Sequence, residues 1–483
     1  MIPGPDGGLR PGPGGAPRAT GRGAGPTEAP TLAFVTLGCP KNTVDSETML
    51  GLLARAGFRM VADPAQADVA VLNTCGFLQS AVRESKAAIE ELLASKQREG
   101  RPRRVVVAGC LAQRAGVALL EEYPGVDALL GTGQWGEIAR VAARLLEGAA
   151  ERPVLLDAPG GALESPVPRA LSTPRHIAYL KISEGCDQRC TFCVIPQLRG
   201  PQRSRTIEAL VDEAARLAAG GVRELNLIGQ DTTGYGADLP GTPGLADLLA
   251  ALDPVDGLAW IRVQYTYPRR WSDRLIEVWA GARRVVPYVD LPLQHIASDV
   301  LRTMARGMTG PATRALVRRI KDGIPGAVLR TTFIVGFPGE TEAHFAELLR
   351  YVEEESFEHV VVFPYEREPG TPAWDLGPRV PLTVRRARRA RLLELQQRLA
   401  RARNAARVGE RLTVMIDGPA GRNQYAGRTA GSAYEVDGGV AVEGGGLVPG
   451  TLVPVRVTGA AAYDLFARAE AAGPFLQLVK GTV

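Results

Sequence analysis

Short apolar, β-branched runs alternate with longer stretches of helical period from about Thr31 to Gly148. "TLAFVTLGC", "DVAVLNTC" and "RRVVVAGC" read as strands, and "TVDSETMLGLLARAGF" and "SAVRESKAAIEELLASKQ" as helices between them. "VDALLGTG" then leads into a further helix, "EIARVAARLLEG". This alternation predicts a doubly wound parallel sheet. A Pro/Gly-rich stretch, 151–174, reads as a linker. Six more strands are predicted between 175 and 408: "HIAYLKIS", "VRELNLIG", "LAWIRVQY", "VPYVDLPL", "VLRTTFIVGF" and "HVVVFPY". Helical stretches such as "TIEALVDEAARLAAGG" separate them, giving six β/α units, short of the eight of a closed barrel. A long basic helix, "TVRRARRARLLELQQRLARARNAARV", ends this segment. From 409 to 483 the period changes again. "RLTVMIDG", "YAGRTAGSAYEV", "GVAVEG" and "TLVPVRVTGA" are short strands with Gly turns, which predict a small antiparallel β-barrel. The expected fold is therefore α/β: an N-terminal doubly wound parallel sheet, a central partial (β/α)6 barrel and a C-terminal β-barrel.

Composition adds limits. The first thirty residues are about half Gly and Pro, and 1–30 is expected to be a disordered extension. No apolar run reaches the roughly 18 residues that span a bilayer, and the N-terminus has no apolar core of a secretory signal. The chain is therefore expected in the cytoplasm, with no membrane partner. A net charge of +5 over 483 residues permits a nucleic-acid partner without requiring one. In a reducing compartment, six cysteines read as metal ligands or catalytic groups, not disulfides.

The cysteines fall into two sets of three. Cys186, Cys190 and Cys193 lie in "EGCDQRCTFCVIPQLRG" at the spacing C-x3-C-x2-C, just after the first central strand. A zinc site would need a second cysteine pair or histidines, and none of His176, His295, His344 and His359 is placed to supply it. Three thiolates on a 4Fe–4S cluster leave one iron open to another ligand, and an open coordination position is the mark of a catalytic centre. Cys39, Cys75 and Cys110 are dispersed, but each ends a predicted strand of the N-terminal sheet. In a parallel sheet those ends share one edge, where open α/β sheets bind ligands. Gly38, Gly76 and Gly109 flank them and allow close backbone approach. Singly, each would read as a buried core thiol; together they point to a second three-cysteine cluster.

"CDQRCTFC", with Phe192 before its last cysteine, resembles the radical S-adenosylmethionine (SAM) signature. The resemblance implies that the open iron is chelated by the amino and carboxylate groups of SAM, whose reductive cleavage releases a 5′-deoxyadenosyl radical. Two clusters, a partial barrel and a small C-terminal barrel together resemble the methylthiotransferases, over nearly all of the chain after residue 31. The family implies an N-terminal domain (31–148), a radical SAM core (175–408) and a TRAM domain (409–483). It also implies two 4Fe–4S clusters, SAM, and a flavodoxin- or ferredoxin-like reductant.

Two branches of the family compete. One modifies adenosine in tRNA; the other modifies an aspartate β-carbon in protein twelve of the small ribosomal subunit. "LGCPKNTVDSE", with Pro-Lys after the cysteine, and "DLPLQHIASDVLRTMARG", with Gln294-His295-Ile296, resemble the ribosomal-protein branch. Residues 409–483 carry six Lys+Arg against seven Asp+Glu, a charge of about −1 that suits a protein surface better than a phosphate backbone. The basic helix, with Arg385, Arg386, Arg388 and Arg389, is expected to be a solvated face, with a ribosomal RNA contact as the other reading. A two-cluster electron-transfer protein is a further alternative, and it predicts four cysteines per cluster and no SAM binding.

Other motifs stay open between site and scaffold. Gly336, Pro338 and Gly339 in "TTFIVGFPGETE" resemble the glycine motif near the SAM adenine, or form a plain βα turn. Gln230 and Asp231 in "LIGQDTTGYG" are candidates for SAM polar groups. "GTGQWG" reads as a tight turn and not a dinucleotide fingerprint. Arg199 and His295 are candidates for substrate or SAM contacts, with a structural role equally open.

Overall fold

The computed structural model describes residues 29–148, 151–161, 163–164 and 167–470. The extension expected over 1–30 lies outside the described residues apart from its last two. Among the described residues, no helix is long and apolar enough to cross a membrane.

The N-terminal sheet has six parallel strands in the order Arg59–Met60, Thr31–Thr36, Val69–Thr74, Arg104–Gly109, Ala128–Leu130, Val154–Leu155. Its central strands are almost wholly buried and mainly apolar, as a sheet covered on both faces requires, with Asn73 and Thr74 at one carboxyl end. Separate apolar clusters fill the two faces. The sixth strand corrects the reading of 151–174 as a plain linker. Val154–Leu155 docks on the sheet edge, where Gly131 N–H donates to the Leu155 carbonyl at 2.7 Å. Further on, Arg169 donates to Glu47 at 2.7 Å and to Glu213 at 2.9 Å, tying the N-terminal domain to the central one. A two-residue strand is too short to leave a periodic trace.

Six parallel strands form the central sheet, in the order His359–Pro364, Val328–Val335, Val285–Asp290, Trp260–Val263, Glu224–Ile228, Ile177–Lys181. The sheet stays open, and its outer face packs on the surrounding helices. All six strands point one way, so their carboxyl ends form one rim.

The C-terminal domain is a closed barrel of five strands. Four seams are antiparallel, as expected. The barrel closes through a fifth strand, Leu465–Ala469, which pairs parallel to Val440–Glu443 and was not anticipated. The barrel caps the amino-terminal mouth of the central sheet. Asp437 accepts from Tyr288 Oη at 2.7 Å, and Arg428 pairs with buried Glu224 at 2.6 Å.

The helix Leu382–Ala406 bears out only in part the expectation that its arginines form a solvated face. Arg388 is buried and donates to Glu340 at 2.7 Å, Arg389 to the Val362 carbonyl at 3.1 Å, and Arg385 to the Tyr365 carbonyl. Arg386 and Arg389 are exposed as expected, and Arg386 has no hydrogen-bond or ion-pair partner among the described residues. Charge runs in sequence do not reveal carbonyls waiting at strand ends.

Candidate active site at the junction of the two sheets

The dispersed cysteines meet at the carboxyl edge of the N-terminal sheet. Cys39 caps the helix Pro40–Arg55, whose first turn starts with proline. Cys110 is not a strand end as expected, but the first residue of the helix Cys110–Ala115; the strand stops at Gly109. Gly109 has φ +90°, and a Cβ there would lie 2.2 Å from Asn73 Oδ1, so only glycine fits the bend. A Cβ on Gly38 would come within 2.9 Å of Cys75 Cβ, which shows how closely these strand ends approach. Asn42 stitches them: its Nδ2 donates to the Leu37 and Thr74 carbonyls, each at 2.9 Å. Thr74 Oγ1 continues the seam to the Ala108 carbonyl at 2.6 Å.

The contiguous cysteines sit on the loop between Ser183–Glu184 and the helix Ile195–Arg199. The loop closes on itself, Cys186 N–H donating to the Gly200 carbonyl at 3.1 Å and Cys193 N–H to the Cys190 carbonyl at 3.2 Å. Arg306 donates to Cys190 Sγ at 3.3 Å. Its guanidinium lies 4.2 Å from the centroid of Tyr267, and the Tyr267 hydroxyl is itself 4.0 Å from Cys190 Sγ. Phe192 meets Phe337 edge to face at 6.3 Å.

Between the two sets lies a buried charge network. Arg199 donates to Asp45 at 2.7 Å, to Glu184 at 3.0 Å and to Asn42 at 2.5 Å, and its Nε lies 3.3 Å from Cys110 Sγ. Lys181 pairs with Asp45 at 2.5 Å and Glu184 at 2.7 Å. Two cations thus answer two carboxylates, with hydrogen bonds filling the remaining valences, which is how buried charge is tolerated. Arg199 touches a cysteine of one set, and its partner Glu184 stands two residues before the first cysteine of the other.

Burial dominates the titration of the thiols. It pushes Cys75 up to about 11 and Cys186 and Cys193 up to about 12, and raises Cys110 despite Arg199 beside it. Thiolates in these positions need a positive charge brought from outside the chain, which is what a bound metal supplies. Among the described residues, no three Cys, His, Asp or Glu side chains close around a single ion. A lone tetrahedral ion with bonds of about 2.3 Å draws its sulfurs to roughly 3.8 Å of one another, whereas a multinuclear cluster spreads them. Each set offers three free thiols, the donor type such a cluster takes.

The other candidates divide. Gln230 faces the junction, donating to Glu184 at 2.5 Å with its Oε1 unpartnered and buried. Asp231 is occupied, accepting from Gln188 at 2.8 Å and from Gly234 N–H at 3.0 Å. Gly336 has φ +74°, donates to Glu340 at 2.7 Å, and has no room for a Cβ against Arg385. Pro338 shares a small cavity with Gly336, Tyr365 and Trp374, while Gly339 N–H donates to the Pro378 carbonyl at 2.9 Å. Arg199 is a bridge, 2% exposed, with no face left for a substrate. His295 is fully buried. Its Nδ1 accepts from Ala297 N–H at 3.0 Å, and burial lowers it to about 3, so it is a neutral brace with no cysteine partner among the described residues. "GTGQWG" packs as a turn, Thr132 donating to the Leu198 carbonyl at 2.7 Å.

Sequence reasoning missed Lys41, Asn42, Asp45, Lys181, Glu184, Tyr265, Tyr267 and Arg306. One signal was available: the helix after Cys39 buries Lys41, Asn42, Asp45, Ser46, Glu47 and Thr48, a polar inner face foreign to an ordinary core helix.

Comparison with known proteins gives three successive family matches: "Uncharacterized protein family UPF0004" over residues 31–131, "Radical SAM superfamily" over 180–352 and "TRAM domain" over 408–469. The chain is 50% identical over 441 residues to "Ribosomal protein uS12 methylthiotransferase RimO" of Anaeromyxobacter sp. (strain K), covering 91% of this chain and 93% of that one. It is 46% identical over 437 residues to the protein of the same name from Pelotomaculum thermopropionicum, covering 90% and 98%. Among solved structures, the radical SAM methyltransferase TsrM from Kitasatospora setae shares the fold, with a TM-score of 0.53 at 17% identity over 72% of this chain and 75% of that one.

Proposed function

The chain belongs to the RimO family of radical SAM methylthiotransferases, and from that premise we propose that it methylthiolates the β-carbon of an aspartate in protein twelve (uS12) of the small ribosomal subunit. The observation that carries the mechanism is the joining of two three-thiol sets across one junction by Arg199. Cys39, Cys75 and Cys110 would hold one 4Fe–4S cluster, and Cys186, Cys190 and Cys193 the other. SAM would lie at the second, bordered by Phe192, Gln230, Gly336, Pro338 and Gly339. When bound, these groups supply one-electron reduction, a carbon-centred radical and a methylated sulfur.

The chain's own part is positioning and exclusion of water. Arg199 beside Cys110 favours the ionised thiol that cluster binding requires, and Arg306 donates a hydrogen bond to Cys190. The stitched strand ends hold the dispersed set, and the self-bonded loop holds the compact one. Tyr265 and Tyr267, two residues apart, reach toward opposite sets: Tyr265 lies under Lys41, next to Cys39, and Tyr267 lies against Cys190. A flavodoxin- or ferredoxin-like protein supplies electrons. The near-neutral charge of the C-terminal barrel favours a protein surface over ribosomal RNA as the substrate.

Mass spectrometry of ribosomal proteins and tRNA from a deletion strain tests this. Loss of the methylthio group from protein twelve is expected. Its retention, with loss from tRNA adenosine, reverses the assignment.

A further inference from the structure

Lys41 is buried, 8% exposed, two residues after Cys39. Its ammonium makes no hydrogen bond or ion pair among the described residues; its contact is the ring of Tyr265, with Nζ 3.2 Å from the centroid. The titratable and charged groups facing it are Cys39, Arg199, Glu184 and Asp290. Glu184 already answers Lys181 and Arg199. Asp290 is taken by Arg330 at 3.3 Å and by the backbone N–H of Tyr265 at 2.9 Å. Lys41 is therefore the cation of this junction whose charge no carboxylate of its own answers. A buried ammonium without a partner is costly, and an aromatic face offsets only part of that.

The surroundings hold it there. Tyr265 sits at φ +62°, a conformation an aromatic residue adopts only when its neighbours impose it. The Asp290 bond to its N–H and the Thr232 N–H bond to its carbonyl, at 3.1 Å, pin that conformation. The ring thus presents Lys41 beside Cys39, on the same short segment whose Tyr267 reaches Cys190. A ligand at this point would lie between the two sets.

We propose that Lys41 is a specificity residue that pairs with the side-chain carboxylate of the target aspartate. The inference rests on the aspartate reading above. Its chemistry is direct: the β-carbon is one bond from the carboxylate, so a fixed cation on the carboxylate fixes the carbon to be modified. The side chain of asparagine, equal in shape but uncharged, does not answer the ammonium.

The test uses enzyme with reconstituted clusters and measures binding of protein twelve, carrying Asp or Asn at the modified position, by fluorescence anisotropy. The wild type binds the Asp form at least about tenfold more tightly than the Asn form, as expected for a desolvated charge pair. In Lys41→Met the ratio falls to near one while iron content is unchanged. Lys41→Arg retains a ratio above one. A ratio unchanged in Lys41→Met overturns the proposal, and so does loss of iron in that variant, which would make Lys41 part of the cysteine site. A wild type that modifies protein twelve at the aspartate yet binds both forms equally overturns the role of Lys41 alone. A wild type that modifies tRNA instead overturns the underlying reading, and the inference with it.

Discussion

The two cysteine sets reach a similar end by different means. The central set spans eight residues of one loop, and its geometry is largely local: two backbone hydrogen bonds close the loop. The N-terminal set draws on three strand ends, and exists only when a parallel sheet brings Leu37, Thr74 and Ala108 together under the side chains of Asn42 and Thr74. The difference teaches that a local site carries its own scaffold, whereas a dispersed site borrows the fold's. Disturbing the fold should therefore empty the dispersed set first.

The largest effect is expected from the thiols themselves. Cys75→Ala and Cys190→Ala should each remove about half of roughly eight irons per reconstituted chain and abolish methylthiolation. Iron and sulfide analysis checks this; a wild type that binds only about four irons breaks the comparison at its root.

Arg199→Met comes next. It leaves Asp45 and Glu184 sharing Lys181 alone in a buried site, and should destabilise by about 3–5 kcal/mol, as breaking a buried pair does. Chemical denaturation measures it. If the bridge belongs to both sets, stability falls together with iron retention at each; loss confined to the N-terminal set would assign Arg199 to Cys110 alone.

A paired substitution sharpens the contrast at smaller scale. Gly109→Ala forces a Cβ to within 2.2 Å of Asn73 Oδ1 at φ +90°, and Gly185→Ala forces one to within 2.0 Å of the Pro201 carbonyl at φ +84°. Each should cost about 1–3 kcal/mol. Gly109→Ala should lower N-terminal iron with the central cluster intact, and Gly185→Ala the reverse. Electron paramagnetic resonance of the single-set cysteine variants identifies which signal is lost.

Much of the fold was legible because short runs rich in apolar and β-branched residues alternate with helical stretches, and all six central strands were found in that way. Val154–Leu155 and Leu465–Ala469 did not, since two residues, or five with weak alternation, carry too little pattern. The cysteines were legible by count and position. Arg199 was noticed, but as a possible contact for substrate or SAM; its true neighbours lie 154, 157 and 89 residues away, at Asp45, Asn42 and Cys110. The basic helix was read only in part for the same reason: Arg386 and Arg389 are exposed as expected, but the carbonyls and Glu340 that hold Arg385, Arg388 and Arg389 come from other elements.

By itself, then, the sequence determined which atoms are available: two incomplete thiol sets, three segments and their strand order along the chain. Covalent spacing and apolar periodicity are properties of the chain, so they can be read from it. The tertiary structure decided which charges cancel and which do not. Arg199 and Lys181 are neutralised by carboxylates from two domains, while Lys41 is left with only an aromatic face. Electrostatic pairing depends on distance and burial after folding, and neither is written in the order of residues.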